Sequence, residues 1–364
     1  MGAELERQAT LGVQRGSRRK RKIFLRVLMG LLLCFSLIGF TGYILVFHGP
    51  LTGLKELYVT TAMTTYTHQY LARWFVSEEE INRIMDRNKV SEPPMNTDEK
   101  AIHVEEPMIK QKIPLESIEI NGKGFHGYLL KVANPERVHL VATDQLGNKG
   151  LKVEEFAEKF QADAAINAGG FSDPGGEGRG GVPTGILITG GKILYKDTLA
   201  LYNLIGFDRD NVLVLGRYSL EQIEELGIRD AVTFGPFLIV NGEPMIKQGD
   251  GGWGIAPRTA IGQTKAGTVL FLVIDGRQIG SLGATLKEVQ TILLENGAQN
   301  AANLDGGSST TLVFHGKVMN KPSSTFGPRE VPSAFIVLPE RARWEEKRAL
   351  QSEAKLSRFH EKTE

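Results

Sequence analysis

The chain from Val27 to Phe47 carries no charged residue, which is length enough to cross a hydrocarbon core, and it follows the basic cluster Arg15, Arg18, Arg19, Lys20, Arg21, Lys22 and Arg26. Beyond it, apolar residues recur at helical intervals (Leu54, Leu57, Tyr58, Ala62, Tyr66, Tyr70, Trp74) in a proline-free stretch from Leu51 to Phe75. Ser77-Glu-Glu-Glu80 then reads as a capping box that opens a second short helix through Met85. Asn88 to Lys112 is polar, contains prolines and has no period, as a linker does. From about Ile113 to Leu338 the pattern changes to apolar runs of strand length, separated by Asn-Gly, Gly-Gly and Asn-Pro turns. Three helices interrupt them. One covers Lys152 to Phe160; a second is opened by Ser219-Leu-Glu-Gln222 and stopped by Gly227; a third is opened by Thr285-Leu-Lys-Glu288, carries Leu286, Val289, Ile292 and Leu293 on one face, and is stopped by Gly297. Glu340 to Glu364 alternates charges as a solvated helix or tail does.

The predicted fold class is therefore α+β (mixed α/β): a single strand-rich domain with a few packed helices, preceded by a transmembrane helix and a helical connector. The predicted boundaries are a basic cytoplasmic tail at 1–22, a transmembrane signal anchor at 23–47, a connector and linker at 48–112, the domain at 113–338 and a charged tail at 339–364.

Composition narrows this picture. With 364 residues, 41% of them hydrophobic, and 42 glycines, the chain can bury a substantial core. A net charge of +1 and the lack of an aromatic-basic stripe argue against nucleic acid as a partner. The lone Cys34 lies in the apolar segment, so the domain has no internal disulfide, and no His-x-x-x-His pair suggests zinc. The basic flank sets the orientation: a single-pass cell-membrane protein, N-terminus cytoplasmic and domain extracytoplasmic. A cleaved signal peptide, with small residues at Gly39-Phe-Thr41, is the alternative.

Candidate chemistry concentrates where apolar strands run into glycine. Asn300 to Thr311 delivers Asp305 into a turn rich in glycine and hydroxyls. Val269 to Ile274 ends in Asp275-Gly276-Arg277, and Ala164 to Ile166 ends in Asn167-Ala-Gly-Gly-Phe171. Three such strand ends point to one shared site. By contrast, Gly122-Lys-Gly124-Phe-His-Gly127 fits the dinucleotide spacing but leads into a strand, so it reads as a hairpin turn.

Asn167-Ala-Gly-Gly-Phe171, Gly235-Pro-Phe-Leu-Ile-Val-Asn-Gly242, Pro257-Arg-Thr-Ala-Ile-Gly262, Val273-Ile-Asp-Gly-Arg277, Asn303-Leu-Asp-Gly-Gly-Ser-Ser309 and Arg329-Glu-Val-Pro-Ser-Ala-Phe335 occur in the order seen in the phosphodiester glycosidase family. The chain resembles that family over most of Ile113 to Leu338, and its anchor and connector resemble the membrane-anchored bacterial members described as exopolysaccharide-related. Ser308 departs from the pattern, standing where many relatives have a third glycine.

The resemblance implies hydrolysis of sugar-1-phosphodiesters, with water attacking the anomeric carbon and a phosphate monoester leaving. Asp305 and Asp275 are then the candidate catalytic acids. The substrate-binding candidates are Asn167, Gly169, Gly170, Arg258, Arg277, Asn303, Gly306, Gly307, Ser308, Ser309 and Arg329. Each has a plainer alternative. Arg258 and Arg329 fit structural ion pairs, Arg277 a solvated charge, Asn167 a turn cap, and the hydroxyls local turn formation. No cofactor is required by this chemistry, although oxygen-rich turns also suit Ca²⁺ or Mg²⁺. The implied partners are a sugar-phosphate or polysaccharide substrate and, through the N-terminal helix, a membrane. A non-catalytic protein that grips anionic glycan or assembles exopolysaccharide is the alternative function, and glycosyl transfer to another acceptor a further one. Retention or inversion at the anomeric carbon depends on the carboxylate separation.

Overall fold

The computed structural model describes residues 24–65, 68–90, 96–104, 115–173, 179–324 and 327–340. The basic tail at 1–22 and nearly all of the charged C-terminal tail lie outside these residues, as do parts of the linker. The chain divides into two compact units, Met1–Ile81 and Asn82–Glu364.

In the first unit an apolar helix, Phe24–His48, rises roughly 37 Å at about 1.5 Å per residue, enough to cross a bilayer's hydrocarbon core. The connector differs from its sequence pattern: the Leu51–Phe75 stretch is two helices, Thr52–Met63 and Tyr70–Phe75. At the end of the first helix the Thr64 hydroxyl donates to the Thr60 carbonyl (2.8 Å) and that of Thr65 to the Ala62 carbonyl (2.8 Å). The capping box is present in part, since Ser77 Oγ accepts from the Glu80 amide at 3.3 Å at the start of the helix Glu78–Asn88.

The second unit holds three antiparallel sheets and a two-stranded ribbon. The largest has seven strands in the spatial order Glu116–Gly122, Phe125–Val132, Val269–Ile274, Arg258–Thr264, Ala298–Leu304, Phe237–Val240 and Glu243–Pro244. A five-stranded sheet runs Leu213–Tyr218, Tyr202–Phe207, Asp230–Thr233, Ile186–Thr189 and Lys192–Lys196. Another runs Lys317–Val318, Leu312–Phe314, Ala164–Asn167, Ser333–Val337 and Val138–Ala142. Gly122 pairs with Phe125 across the glycine-spaced segment, which is a hairpin as its sequence suggests.

All three predicted helices form, over Val153–Lys159, Leu220–Glu225 and Leu286–Glu295, the last two with reciprocal capping boxes. On Leu286–Glu295 the buried face includes Gln290, which the apolar pattern does not mark. Its amide clamps the Ile246 backbone, accepting from the N–H at 2.7 Å and donating to the carbonyl at 3.1 Å. Val269–Ile274 is buried at every position, as expected for a strand covered on both faces.

Candidate functional site

Antiparallel register brings the predicted strand ends together. Arg258, at the start of its strand, pairs with Ile274, and its neighbour Thr259 pairs with Leu304. The chain therefore emerges at Asp275 on one side of the Arg258 strand and at Asp305 on the other, two strand spacings or roughly 10 Å apart along the backbone. The third end, Asn167, arrives from the neighbouring sheet. Its buried carboxamide joins three segments: Nδ2 donates to the Asp305 carbonyl, while Oδ1 accepts from the Thr259 hydroxyl (2.9 Å) and the Thr311 amide (3.1 Å).

The glycines allow this convergence. A Cβ on Gly306 would lie 2.8 Å from the Pro257 carbonyl oxygen and one on Gly276 2.7 Å from the Pro257 nitrogen, so both turns close onto the same backbone. The Gly307 amide donates to the Pro257 carbonyl at 2.9 Å, so it is spent within the protein, which corrects the expectation that this amide meets a ligand. Gly169 and Gly170 are buried, packed against Val232 and the Phe234 ring, so their conformation serves close packing as well.

Asp305 is densely surrounded yet keeps part of its surface open. Burial pushes its carboxyl up to about 6 from an ordinary 3.8, against the lowering effect of hydrogen bonds from the Ser309 hydroxyl and the Gly306 amide. Asp275 is placed differently. It is buried, and Oδ1 accepts from Asn320 Nδ2 (3.1 Å) and the Lys321 amide (2.9 Å), while Oδ2 faces His126 Nδ1 at 3.9 Å. Of the two acids, Asp305 is the more open to solvent.

The arginines separate into two kinds. Arg258 is buried and donates to three main-chain carbonyls, those of Ala284 (3.0 Å), Trp253 (2.8 Å) and Gly254 (2.6 Å). Burial lowers its pKa to about 10; Asp250 and Glu288 oppose the shift, and the nearby Arg277 adds to it. The sequence alternative of an internal acid partner gives way to carbonyl ligation, which fastens the loop before the site. Arg277 is exposed, sits at φ 58°, and lays both Nη atoms against Gly307, 3.5 Å from where a Cβ would be. Among the described residues its guanidinium has no carboxylate partner. Its backbone is thus held in the left-handed region, which glycine adopts with less strain.

Arg329 pairs with Asp173, donates to Ser308 Oγ at 3.2 Å and lies over the Phe171 ring, so its charge is already neutralised and the structural alternative applies. Asn303 donates from Nδ2 to the Gly235 carbonyl (2.9 Å), leaving its buried Oδ1 with no partner among the described residues; the Thr310 hydroxyl is likewise unpartnered. His126 beside Asp275, and the Asn320-Lys321 pair that holds that acid, carry no sequence signal of their own.

Residues 160–338 match the model of the phosphodiester glycosidase family. The chain is 29% identical over 203 residues to the SPbeta prophage-derived protein YomE of Bacillus subtilis, covering 52% of this chain and 30% of that protein. It is 30% identical over 188 residues to the N-acetylglucosamine-1-phosphodiester alpha-N-acetylglucosaminidase of Bos taurus, covering 47% and 34% respectively. It thus spans about a third of the length of these relatives. The zebrafish catalytic domain of the same enzyme, auto-inhibited by its pro-peptide, superposes with a TM-score of 0.53 at 24% identity, covering 62% of this chain and 82% of that one; this likeness is one of fold.

Proposed function

From the phosphodiester glycosidase domain at residues 160–338 we infer that the folded unit hydrolyses sugar-1-phosphodiesters: water attacks the anomeric carbon and a phosphate monoester leaves. The observation that carries this reading is the Asp305 carboxylate, beside Ser309 and Gly306 on a main chain fastened by Asn167, with a pKa of about 6. Such a group is ionised at neutral pH yet is a much stronger base than an ordinary aspartate, which suits it to take a proton from water. The departing phosphate monoester has a second pKa near 6, so it leaves with little help from an acid. Arg277 supplies the positive charge that the phosphate requires, with Arg258 holding the neighbouring loop.

The steps proposed here call on no metal; Ca²⁺ or Mg²⁺ at the oxygen-rich turns is the alternative, and the chelator arm of the assay separates the two. The apolar helix Phe24–His48 supports a single-pass anchor with the domain outside the cytoplasm, where envelope or exopolysaccharide glycans carry bonds of this kind.

The test is release of free sugar from a panel of UDP-sugars and other sugar-1-phosphodiesters by the full chain in detergent. Turnover is expected to persist in chelator, with an acid limb in kcat/KM near pH 6. Silence across the panel, alongside saturable binding of anionic glycan, would replace the hydrolase by a glycan-binding or assembly protein.

The two arginines give different expected results in the same assay. Arg277→Gly should leave the melting temperature unchanged or raise it, because it relieves a left-handed arginine, while kcat/KM falls about 10- to 100-fold with the loss of a charge-assisted contact. Arg258→Ala should instead cost about 3 kcal/mol of stability, since three carbonyls lose a cationic donor. Equal stability loss in both variants would remove the distinction drawn between them.

A further inference from the structure

Beside the Asp305 turn lies a cleft of about 670 Å³, bounded by the end of the Glu78–Asn88 helix, the Tyr202–Phe207 sheet and the loop before Arg258. Register lays out its floor. Arg217 and Asn203 are cross-strand partners, so their side chains share a face. Thr233 pairs with Leu204, so Phe234, one residue on, falls level with Asn203. Trp253 then stands edge-on to Phe234, ring centroids 6.0 Å apart. A cation, an amide and two aromatic rings thus form a row across the cleft, with Lys89 on the helix side and Asp86 the one carboxylate among these lining groups.

The row is continuous with the site already described. Gly235 and Pro236, in the cleft wall, accept from the Asn303 side chain and amide, two residues before Asp305. The Trp253 carbonyl accepts from Arg258, and the Phe234 ring covers Gly170. Arg217 and Lys89 have no carboxylate partner among the described residues, and the Asn203 carboxamide has no protein partner there either. Half-exposed aromatic faces beside unspent hydrogen-bonding groups match the alternating apolar and hydroxylated faces of a sugar ring, and two cations against one carboxylate favour an anion.

We propose that this cleft is a subsite for an anionic saccharide unit, its ring on Trp253 and Phe234 and its carboxylate or phosphate on Arg217 and Lys89, next to the sugar whose bond is cut at Asp305. The position of that cut rests on the glycosidase reading; the binding does not.

Binding is measured calorimetrically on the full chain carrying Asp305→Asn, in detergent, with a hexuronate tetrasaccharide, a glycosyl-phosphate tetrasaccharide and a neutral tetrasaccharide. At least one acidic ligand should bind about tenfold or more tightly than the neutral one and weaken as salt rises from about 50 to about 500 mM. The two acidic arms tell carboxylate from phosphate. Trp253→Ala and Arg217→Gln should each weaken acidic binding about tenfold, with Trp253→Phe intermediate and its melting temperature unchanged. Equal affinity for acidic and neutral ligands, or unchanged affinity in folded Trp253 and Arg217 variants, overturns the subsite. Variant-sensitive acidic binding by a native chain that turns over nothing would retain the subsite and refute the glycosidase; turnover with variant-insensitive binding would do the reverse.

Discussion

Replacing Asp305 by Asn is expected to abolish turnover and, above pH 7, to make the chain more stable. The folded carboxyl has a pKa of about 6 against 3.8 for an ordinary aspartate, so the folded state binds its proton more tightly than the unfolded one. Stability is then lost as pH rises through that window, and the cost is complete above pH 6. The difference of about 2.2 units corresponds to on the order of 3 kcal/mol at most, less where solvent screens the open part of the group. Asn carries no such charge. Melting of the native chain and Asp305→Asn at pH 8 should show the variant several degrees higher, and at about pH 3, where both states of Asp305 are largely protonated, the gap should close. A gain of equal size at both pH values would mean that burial does not raise this carboxyl, and residual turnover would remove Asp305 from the mechanism.

Asn167→Ala should act in the opposite direction. It strands the Asp305 carbonyl, the Thr259 hydroxyl and the Thr311 amide in a fully buried position, at about 1–3 kcal/mol for each group left unpaired. A total of about 3–5 kcal/mol in urea unfolding is expected, placing it among the most damaging single changes in the domain. Because Asn167 reaches Asp305 through the main chain and is closed to solvent, kcat should fall more than KM rises. Asn167→Asp does not rescue the loss: it restores the acceptor for Thr311 but sets a buried anion against the Asp305 carbonyl. A stable variant with only a raised KM would return Asn167 to the role of sugar contact.

Much of this site is legible in the sequence, since buried strands ending in a polar residue beside glycine can be recognised one at a time. Their convergence is legible too, through three matching ends. What each group does after convergence is not. Gly307 reads as a ligand-facing amide, yet its partner is the carbonyl of Pro257, a contact made through register 50 residues away in the chain. Arg258 reads as a free cation or half of an ion pair, and only the folded loop supplies the carbonyls of Trp253, Gly254 and Ala284. Gln290 looks polar on a helix face and is buried, because its partner Ile246 exposes backbone there.

The seven-stranded sheet also fixes how much of the chain can exist by itself. The family match begins at residue 160, but Phe125–Val132 is hydrogen-bonded along the whole of Val269–Ile274, from Val269 opposite Val132 to Ile274 opposite Gly127. Without the segment before 160, that fully apolar strand would become an unprotected edge, open to pairing with another copy, and His126 would be missing from Asp275. A fragment that keeps this strand covered therefore includes Phe125–Val132 and begins well before the residues that the family model matches.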